Sequence, residues 1–120
     1  MNGRRNQNLV AIDVDGSLIS AGGPIETRDI ELLEDKGILW GILSSRSKER
    51  AKEACDAMGI KPKFLMVCRV DMRTEELKDL ARQYQAEEYI YVADRSIDAK
   101  EAKQAQWKFI YANKFRELGI

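Results

Sequence analysis

The sequence predicts an α/β domain in three layers, with a parallel five-stranded sheet covered by helices on both faces. Apolar runs of strand length alternate with segments of helical periodicity along the chain. The strand runs are continuously apolar rather than alternating, as burial of both sheet faces requires. Polar residues capable of chemistry follow four of the five strand runs, and in open parallel sheets the ligand site lies beyond the carboxyl ends of the strands.

The first strand is Leu9-Val10-Ala11-Ile12, which runs into Asp13-Val14-Asp15-Gly16-Ser17, where the glycine makes a turn. Gly22-Gly23-Pro24 then marks a loop. Thr27 is expected to cap a short helix to about Lys36, with Gly37 as its stop. Ile38 to Leu43 is the second strand, followed at once by Ser44-Ser45-Arg46. Ser47 caps the next helix, whose Ala51, Ala54, Cys55 and Met58 recur at helical spacing before Gly59 closes it. Pro62 sets off a third strand over Phe64–Cys68. A helix from about Thr74 to Tyr84 carries Leu77, Leu80, Ala81 and Tyr84 on one face. Tyr89–Val92 is the fourth strand and leads into Ala93-Asp94-Arg95-Ser96-Ile97-Asp98. A helix over about 97–105 and a fifth strand at Lys108–Tyr111 complete the pattern. Residues 1–7 are polar and are expected to fray.

At 120 residues the chain is read as a single domain, long enough for one real core. A hydrophobic fraction of 44% with 33% charged residues describes a globular protein rather than a disordered one. Twenty basic and twenty acidic side chains cancel, so no overall field announces nucleic acid or an anionic membrane, although a local basic patch stays open. The absence of histidine removes histidine triads, histidine bases and most zinc sites. Cys55 and Cys68 have no ligand-like spacing and read as reduced thiols in or near the core. No run approaches about 18 apolar residues and no signal-like apolar region follows Arg5, so no membrane span is expected and the expected location is cytoplasmic.

Asp13 and Asp15 stand two apart, so a fully extended strand end would point both carboxylates to one side. Carboxylates that close repel and shift each other's proton affinity. A divalent metal compensates, and hard oxygen ligands at a strand end suit magnesium. The other strand ends supply partners: Ser44 and Ser45 after the second, Arg69 after the third, Asp94 and Asp98 after the fourth. Arg73 opens the helix before the fourth strand.

This series resembles the haloacid dehalogenase-like phosphohydrolase superfamily, and the resemblance runs from about Leu9 to Phe115. IDVDGS is similar to the first motif of that family, an apolar strand ending in Asp-x-Asp-Gly-Thr. ILSSRS is similar to the second, an apolar strand ending in Thr or Ser, and VADRSID to the fourth, Gly-Asp with a second Asp four residues on. Arg73 is the best match to the Lys or Arg of the third motif, with Lys78 as the competing cation one helical turn further on. Ser17 stands where Thr is usual, Ser45 where Gly is common, Ala93 replaces a Gly, and Arg in place of Lys is the minority choice at the third motif.

The resemblance implies a Rossmann-like domain and a magnesium-dependent phosphomonoesterase. Asp13 would be the nucleophile that attacks phosphorus in line to give an aspartyl-phosphate. Asp15 would protonate the leaving oxygen and then activate water. Ser44 would donate a hydrogen bond to a phosphoryl oxygen, and Arg73 would balance charge on nucleophile and phosphate. Magnesium would be held by Asp13, the backbone carbonyl of Asp15, and Asp94, with Asp98 as a second ligand or an orienting neighbour. Plainer readings stand beside these: Asp13 or Asp15 shaping a turn, Asp98 favouring a helix N-terminus, Ser45 capping the next helix, Arg69 and Arg95 as solvated rim residues.

Gly16 to Ile25 leaves room only for a short flap, and the second-motif helix is joined to the third strand by a loop, so no cap domain is expected. An open site admits bulky substrates, or small ones if another subunit of a homo-oligomer covers it. Arg69, Asp71 and Arg73 ahead of Asp94-Arg95 loosely resemble the 3′-phosphatase pattern of polynucleotide kinases. Trp107, Tyr111 and Phe115 could stack bases, although packing is the commoner use of such side chains. The substrates in view are therefore a nucleic-acid or nucleotide phosphate end and a sugar phosphate. A reading of a different class is a non-catalytic module of the same fold that binds a phosphorylated partner or assembles with other chains. A receiver-type signalling domain would place its phosphorylated Asp after the third strand, where this chain has Cys68-Arg69, and is set aside.

Overall fold

A computed structural model describes residues 8–118; the N-terminal residues 1–7, expected to fray, lie outside the described residues. Strands β1 (Asn8–Ile12), β2 (Leu39–Ser44), β3 (Leu65–Val67), β4 (Glu88–Ala93) and β5 (Lys108–Tyr111) alternate with helices α1 (Thr27–Asp35), α2 (Lys48–Met58), α3 (Arg73–Gln83) and α4 (Ser96–Gln104). Among the described residues the strands form one sheet in the order β3-β2-β1-β4-β5, and each neighbouring pair is parallel. The predicted three-layer, Rossmann-like α/β architecture is the one observed.

The central strand shows why. Leu9, Val10, Ala11 and Ile12 are all 0% exposed, and their alternating side chains feed two separate cores. Val10 and Ile12 join Trp40, Ile42, Ile90 and Val92 against Ile30 and Leu33 of α1 and Ala51 and Cys55 of α2. Leu9 and Ala11 join Leu43, Tyr91 and Ala93 against Leu77 and Leu80 of α3 and Ala102 of α4. Burying a large aliphatic or aromatic side chain contributes about 1.5–3 kcal/mol, so continuous apolar runs are stable only between two covering layers. At Gly41 in β2 the Phe64 ring lies where a Cβ would project, with ring atoms 2.5 Å from that position.

Several boundaries differ from expectation. Glu26, not Thr27, is the N-cap of α1, in a reciprocal capping box with Asp29. The Asp29 carboxylate accepts the Glu26 backbone N–H at 2.8 Å, while the Thr27 hydroxyl is drawn to the Met58 carbonyl at the end of α2. Ser47 caps α2 by accepting the Arg50 N–H, so Ser45, exposed, has no capping task. Strand β3 spans Leu65–Val67 only, a short edge of the kind that limits edge-to-edge pairing. Trp107 and Phe115 are 5% and 7% exposed. Of the three aromatics considered for base stacking, only Tyr111 is exposed, at 41%; the other two were claimed by the core.

The connection from β1 to α1 is a short flap with one 3-10 turn at Ile19–Ala21, pinned by a bridge between Leu18 and Ile25. No cap domain occurs among the described residues. Nor is any described helix long and apolar enough to cross a membrane.

Candidate active site

The sheet order reverses direction between β1 and β4: β2 and β3 extend from one side of β1, β5 from the other. Where order reverses, the connections diverge to opposite faces and leave a crevice beyond the strand ends. Asp13 follows β1 and Asp94 follows β4, so the crevice is lined by carboxylates from both sides. The Asp13 N–H donates to the Val92 carbonyl at 2.9 Å, which fixes the Asp13 backbone to the neighbouring strand.

Strand β1 ends at Ile12, one residue before the carboxylate pair. Asp13 and Asp15 therefore do not share the face of one extended strand. Asp13 is 4% exposed, whereas Asp15 turns outward and accepts a hydrogen bond from Arg46 Nε at 2.7 Å. Gly16 closes the turn at φ +75°, and a Cβ there would lie 1.8 Å from Asp94 Oδ2. A glycine is required on both counts, since only Gly adopts this backbone freely and only its missing side chain leaves room for Asp94.

Carboxylate oxygens of Asp13, Asp94 and Asp98 all lie within 4.8 Å of one another. Asp13 and Asp98 are buried and Asp94 is exposed. The Asp13 carboxyl is pushed up to about 6. Burial is the main cause; Arg73 and the Val14 backbone N–H pull the value down, Asp98 pushes it up, and Arg95 draws it down. The donor set fits magnesium: hard oxygens only, one exposed ligand to admit the ion, and opposed ligands that need to stand about 4 Å apart at Mg–O distances of 2.0–2.1 Å. Asp98 is the most heavily partnered of the three. Its Oδ1 accepts from Arg73 Nη1 at 3.0 Å, and Arg95 Nε lies 3.3 Å from its Oδ2.

Arg73 begins α3 and is 0% exposed. Its Nη1 donates to the Tyr91 hydroxyl as well as to Asp98. Burial works against the guanidinium charge, but the Tyr91 phenol and the Asp13 and Asp98 carboxylates outweigh it and raise the pKa. Lys78 points elsewhere, half-exposed and 4.0 Å from Glu75, so the cation of this site is Arg73. Ser44, at the end of β2, is 0% exposed and its Oγ accepts the Arg46 backbone N–H at 3.0 Å. Arg69 is exposed and paired with Asp71, outside the cluster. Arg95, by contrast, is drawn in by Asp98.

Two open clefts flank the β1 loop. One, of about 430 Å³, is lined by Asp15, Arg46 and Arg50 among others. The other, of about 420 Å³, is lined by Gly16, Asp94, Tyr111 and Lys114 among others. A third cleft, near 630 Å³ and lined in part by Trp40, Lys61 and Lys63, lies among residues at the opposite, amino end of the strands.

Two residues of this site were not legible in the sequence. Arg46 sits in a run of polar residues that reads as a helix entry, and its partner Asp15 is 31 residues away. Tyr91 reads as one more apolar strand residue, and its bond to Arg73 spans 18 residues. The parity of β4 gives a partial signal: Tyr91 lies on the same sheet face as Leu77 and Leu80 of α3.

Residues 27–112 match the model of the haloacid dehalogenase-like hydrolase family. The match takes in Ser44, Arg73, Asp94 and Asp98 and begins after Asp13 and Asp15. No curated protein sequence matches the chain. Among solved structures, the core domain of a protein described as a phosphoglycolate phosphatase from Streptococcus pneumoniae TIGR4 superposes with TM-score 0.68 at 18% identity, over 91% of this chain and 82% of that one. The 3-deoxy-D-manno-octulosonate 8-phosphate phosphatase of Moraxella catarrhalis superposes with TM-score 0.57 at 22% identity, over 81% of this chain and 63% of that one. At these identities the likeness is one of fold.

Proposed function

The chain belongs to the haloacid dehalogenase-like hydrolase family, and from that premise we propose that it is a magnesium-dependent phosphomonoesterase working through a phosphorylated Asp13. The observation that carries this reading is the convergence of Asp13, Asp94 and Asp98 within 4.8 Å beside the fully buried Arg73 guanidinium. Such a group of acids with a cation from another element has no structural need to be assembled at a strand-order reversal.

In this reading Asp13, Asp94 and the Asp15 carbonyl would hold the metal, and Asp98 would orient its surroundings through Arg73 and Arg95. The bound ion supplies charge neutralisation between nucleophile and phosphate. Asp13 attacks phosphorus and forms the acyl phosphate while the P–O bond to the leaving group breaks. Asp15 gives its proton to the leaving oxygen, and in the second half takes one from the water that attacks phosphorus as the P–O bond to Asp13 breaks and phosphate leaves. Ser44 and Arg73 donate to the phosphoryl oxygens, whose negative charge they stabilise without reorganising.

The two structural relatives named above are phosphatases of small molecules by name. The burial of Trp107 and Phe115 removes two of three stacking candidates for a nucleic-acid end. A small phosphate ester in one of the clefts flanking the β1 loop is therefore favoured over a nucleic acid. The free thiols of Cys55 and Cys68 suit a reducing compartment, which supports a cytoplasmic location.

The test is hydrolysis of p-nitrophenyl phosphate with and without magnesium by the wild type and by Asp13→Asn. Magnesium-dependent turnover that drops to background in the variant is expected. No such turnover on this ester or on a panel of sugar, nucleotide and 3′-phosphate DNA substrates would leave a non-catalytic phosphate-binding module as the reading.

A further inference from the structure

The buried guanidinium of Arg73 is satisfied unevenly. Nη1 makes both of its hydrogen bonds, to Tyr91 Oη and to Asp98 Oδ1. Nε and Nη2 are buried without a hydrogen-bond partner among the described residues. The Cys68 thiol lies beside the guanidinium: burial raises its pKa, and Arg73 pulls it back through a side-chain contact and through its charge. A thiol is a weak acceptor, and it leaves Nε and Nη2 without a geometrically formed hydrogen bond. Buried donors left unpaired lose their hydration with nothing to replace it, so a fold that anchors one nitrogen twice and leaves the other edge unpaired calls for a physical reason.

The unpaired edge is the one that matters for anions. Nε–H and the outer N–H of Nη2 are parallel donors on one side of the planar group, the fork that engages two oxygens of a phosphate or carboxylate at once. Which edge is free depends on what holds the other. Asp98 alone is a single acceptor about which the guanidinium can pivot. Tyr91 adds a second acceptor on the same nitrogen, and its ring lies under the guanidinium carbon at 5.6 Å from the centroid, within cation–π range. Tyr91 is itself 0% exposed, rooted in β4 one residue before Val92, whose carbonyl holds the Asp13 N–H. The same strand thereby fixes both the nucleophile's backbone and the orientation of the cation.

We infer that Tyr91 is a positioning residue: its hydroxyl holds Nη1 of Arg73 so that the buried Nε–Nη2 edge stays unpaired and serves as a two-donor seat for the phosphate. A lysine, with one nitrogen, offers no such edge and gains nothing from the tyrosine. The chain's use of arginine and its buried Tyr91 hydroxyl are thus one device. The inference rests on the phosphatase reading for the identity of the anion, but the seat itself is read by phosphate binding alone.

The experiment compares wild type, Tyr91→Phe, Arg73→Lys and the double variant. Inorganic phosphate binding is measured by titration calorimetry in magnesium buffer, kcat and KM with p-nitrophenyl phosphate, and folding by thermal unfolding. Tyr91→Phe removes only the hydroxyl, and a loss of about tenfold in phosphate affinity and in kcat/KM is expected, which corresponds to about 1.4 kcal/mol. In the Arg73→Lys background the same change should alter both by less than about twofold, because the fork it serves is gone. A merely structural hydroxyl would lower the unfolding temperature and leave this coupling at zero. Wild-type phosphate affinity in Tyr91→Phe, or losses that multiply in the double variant, overturn the inference, as does a wild type that binds no phosphate. If Tyr91→Phe fails to fold, Arg73→Lys alone decides: affinity equal to wild type overturns the two-donor seat. Phosphate binding with no turnover of p-nitrophenyl phosphate or of the sugar, nucleotide and 3′-phosphate DNA panel refutes the phosphatase reading and leaves the seat standing.

Discussion

Gly16→Ala separates the cost of a backbone conformation from the loss of Asp94, the proposed metal ligand. Gly16 and Gly22 lie in the same flap at φ +75° and +84°, and a Cβ at Gly22 meets nothing within 4 Å. Alanine in the left-handed region costs about 1–2 kcal/mol at either position. For a domain of this size each kcal/mol lowers Tm by about 4 °C, so both variants should melt about 4–8 °C below wild type in chelator. At Gly16 the new Cβ also falls 1.8 Å from Asp94 Oδ2. Asp94 is exposed and can swing away at little cost to the fold, but in doing so it leaves the cluster with Asp13 and Asp98. Magnesium at a hundredfold excess over its Kd should stabilise wild type and Gly22→Ala by about 2.7 kcal/mol, or about 10 °C. Gly16→Ala should show almost none of this shift and little phosphatase activity. The assay is differential scanning fluorimetry across a magnesium series, followed by turnover of p-nitrophenyl phosphate. A magnesium shift in Gly16→Ala equal to that of Gly22→Ala would refute the placement of Asp94 as a ligand pressed against the β1 turn.

Two further outcomes concern the fold. Gly41→Ala puts a methyl against the Phe64 ring, 2.5 Å from its atoms, and overpacking of this kind should destabilise by about 1–3 kcal/mol in urea unfolding, with activity per folded molecule unchanged. Asp29 is buried, which raises its pKa, but hydrogen bonds from Arg116 and from the Glu26 backbone lower it overall. A depressed carboxylate pKa stabilises the fold above the unfolded value of about 3.9 and loses that contribution as pH falls through the folded value. Arg116→Ala should therefore melt below wild type at pH 7, and the gap should close as pH falls below about 4.

The elements were legible because each is written in short-range pattern. Leu9–Ile12 and Ile38–Leu43 are apolar at every position bar one glycine, and only a doubly covered strand tolerates that. The α1 cap was misplaced for a local reason with a distant cause: Thr27 is a good capping residue, but Met58 competes for its hydroxyl, and Asp29 takes over the box. For the aromatics near the C-terminus, packing, the commoner use, is what the structure shows at Trp107 and Phe115, while Tyr111 stays exposed. Nothing in the sequence around Trp107 distinguishes a core side chain from a stacking platform until Tyr89 is packed against it at 5.2 Å.

The sequence by itself determined the three-layer class, the strand ends and the acids and cation that follow them, because periodicity and turn chemistry act over a few residues. Only the tertiary structure decided what those groups do to one another. The strand order that sets Asp13 beside Asp94, the exposure of Asp15 to Arg46 and the anchoring of Arg73 by Tyr91 and Asp98 join residues 18 to 31 apart or more. Contacts at that separation depend on how layers dock, and docking is fixed by burial across the whole sheet rather than by any local run of residues.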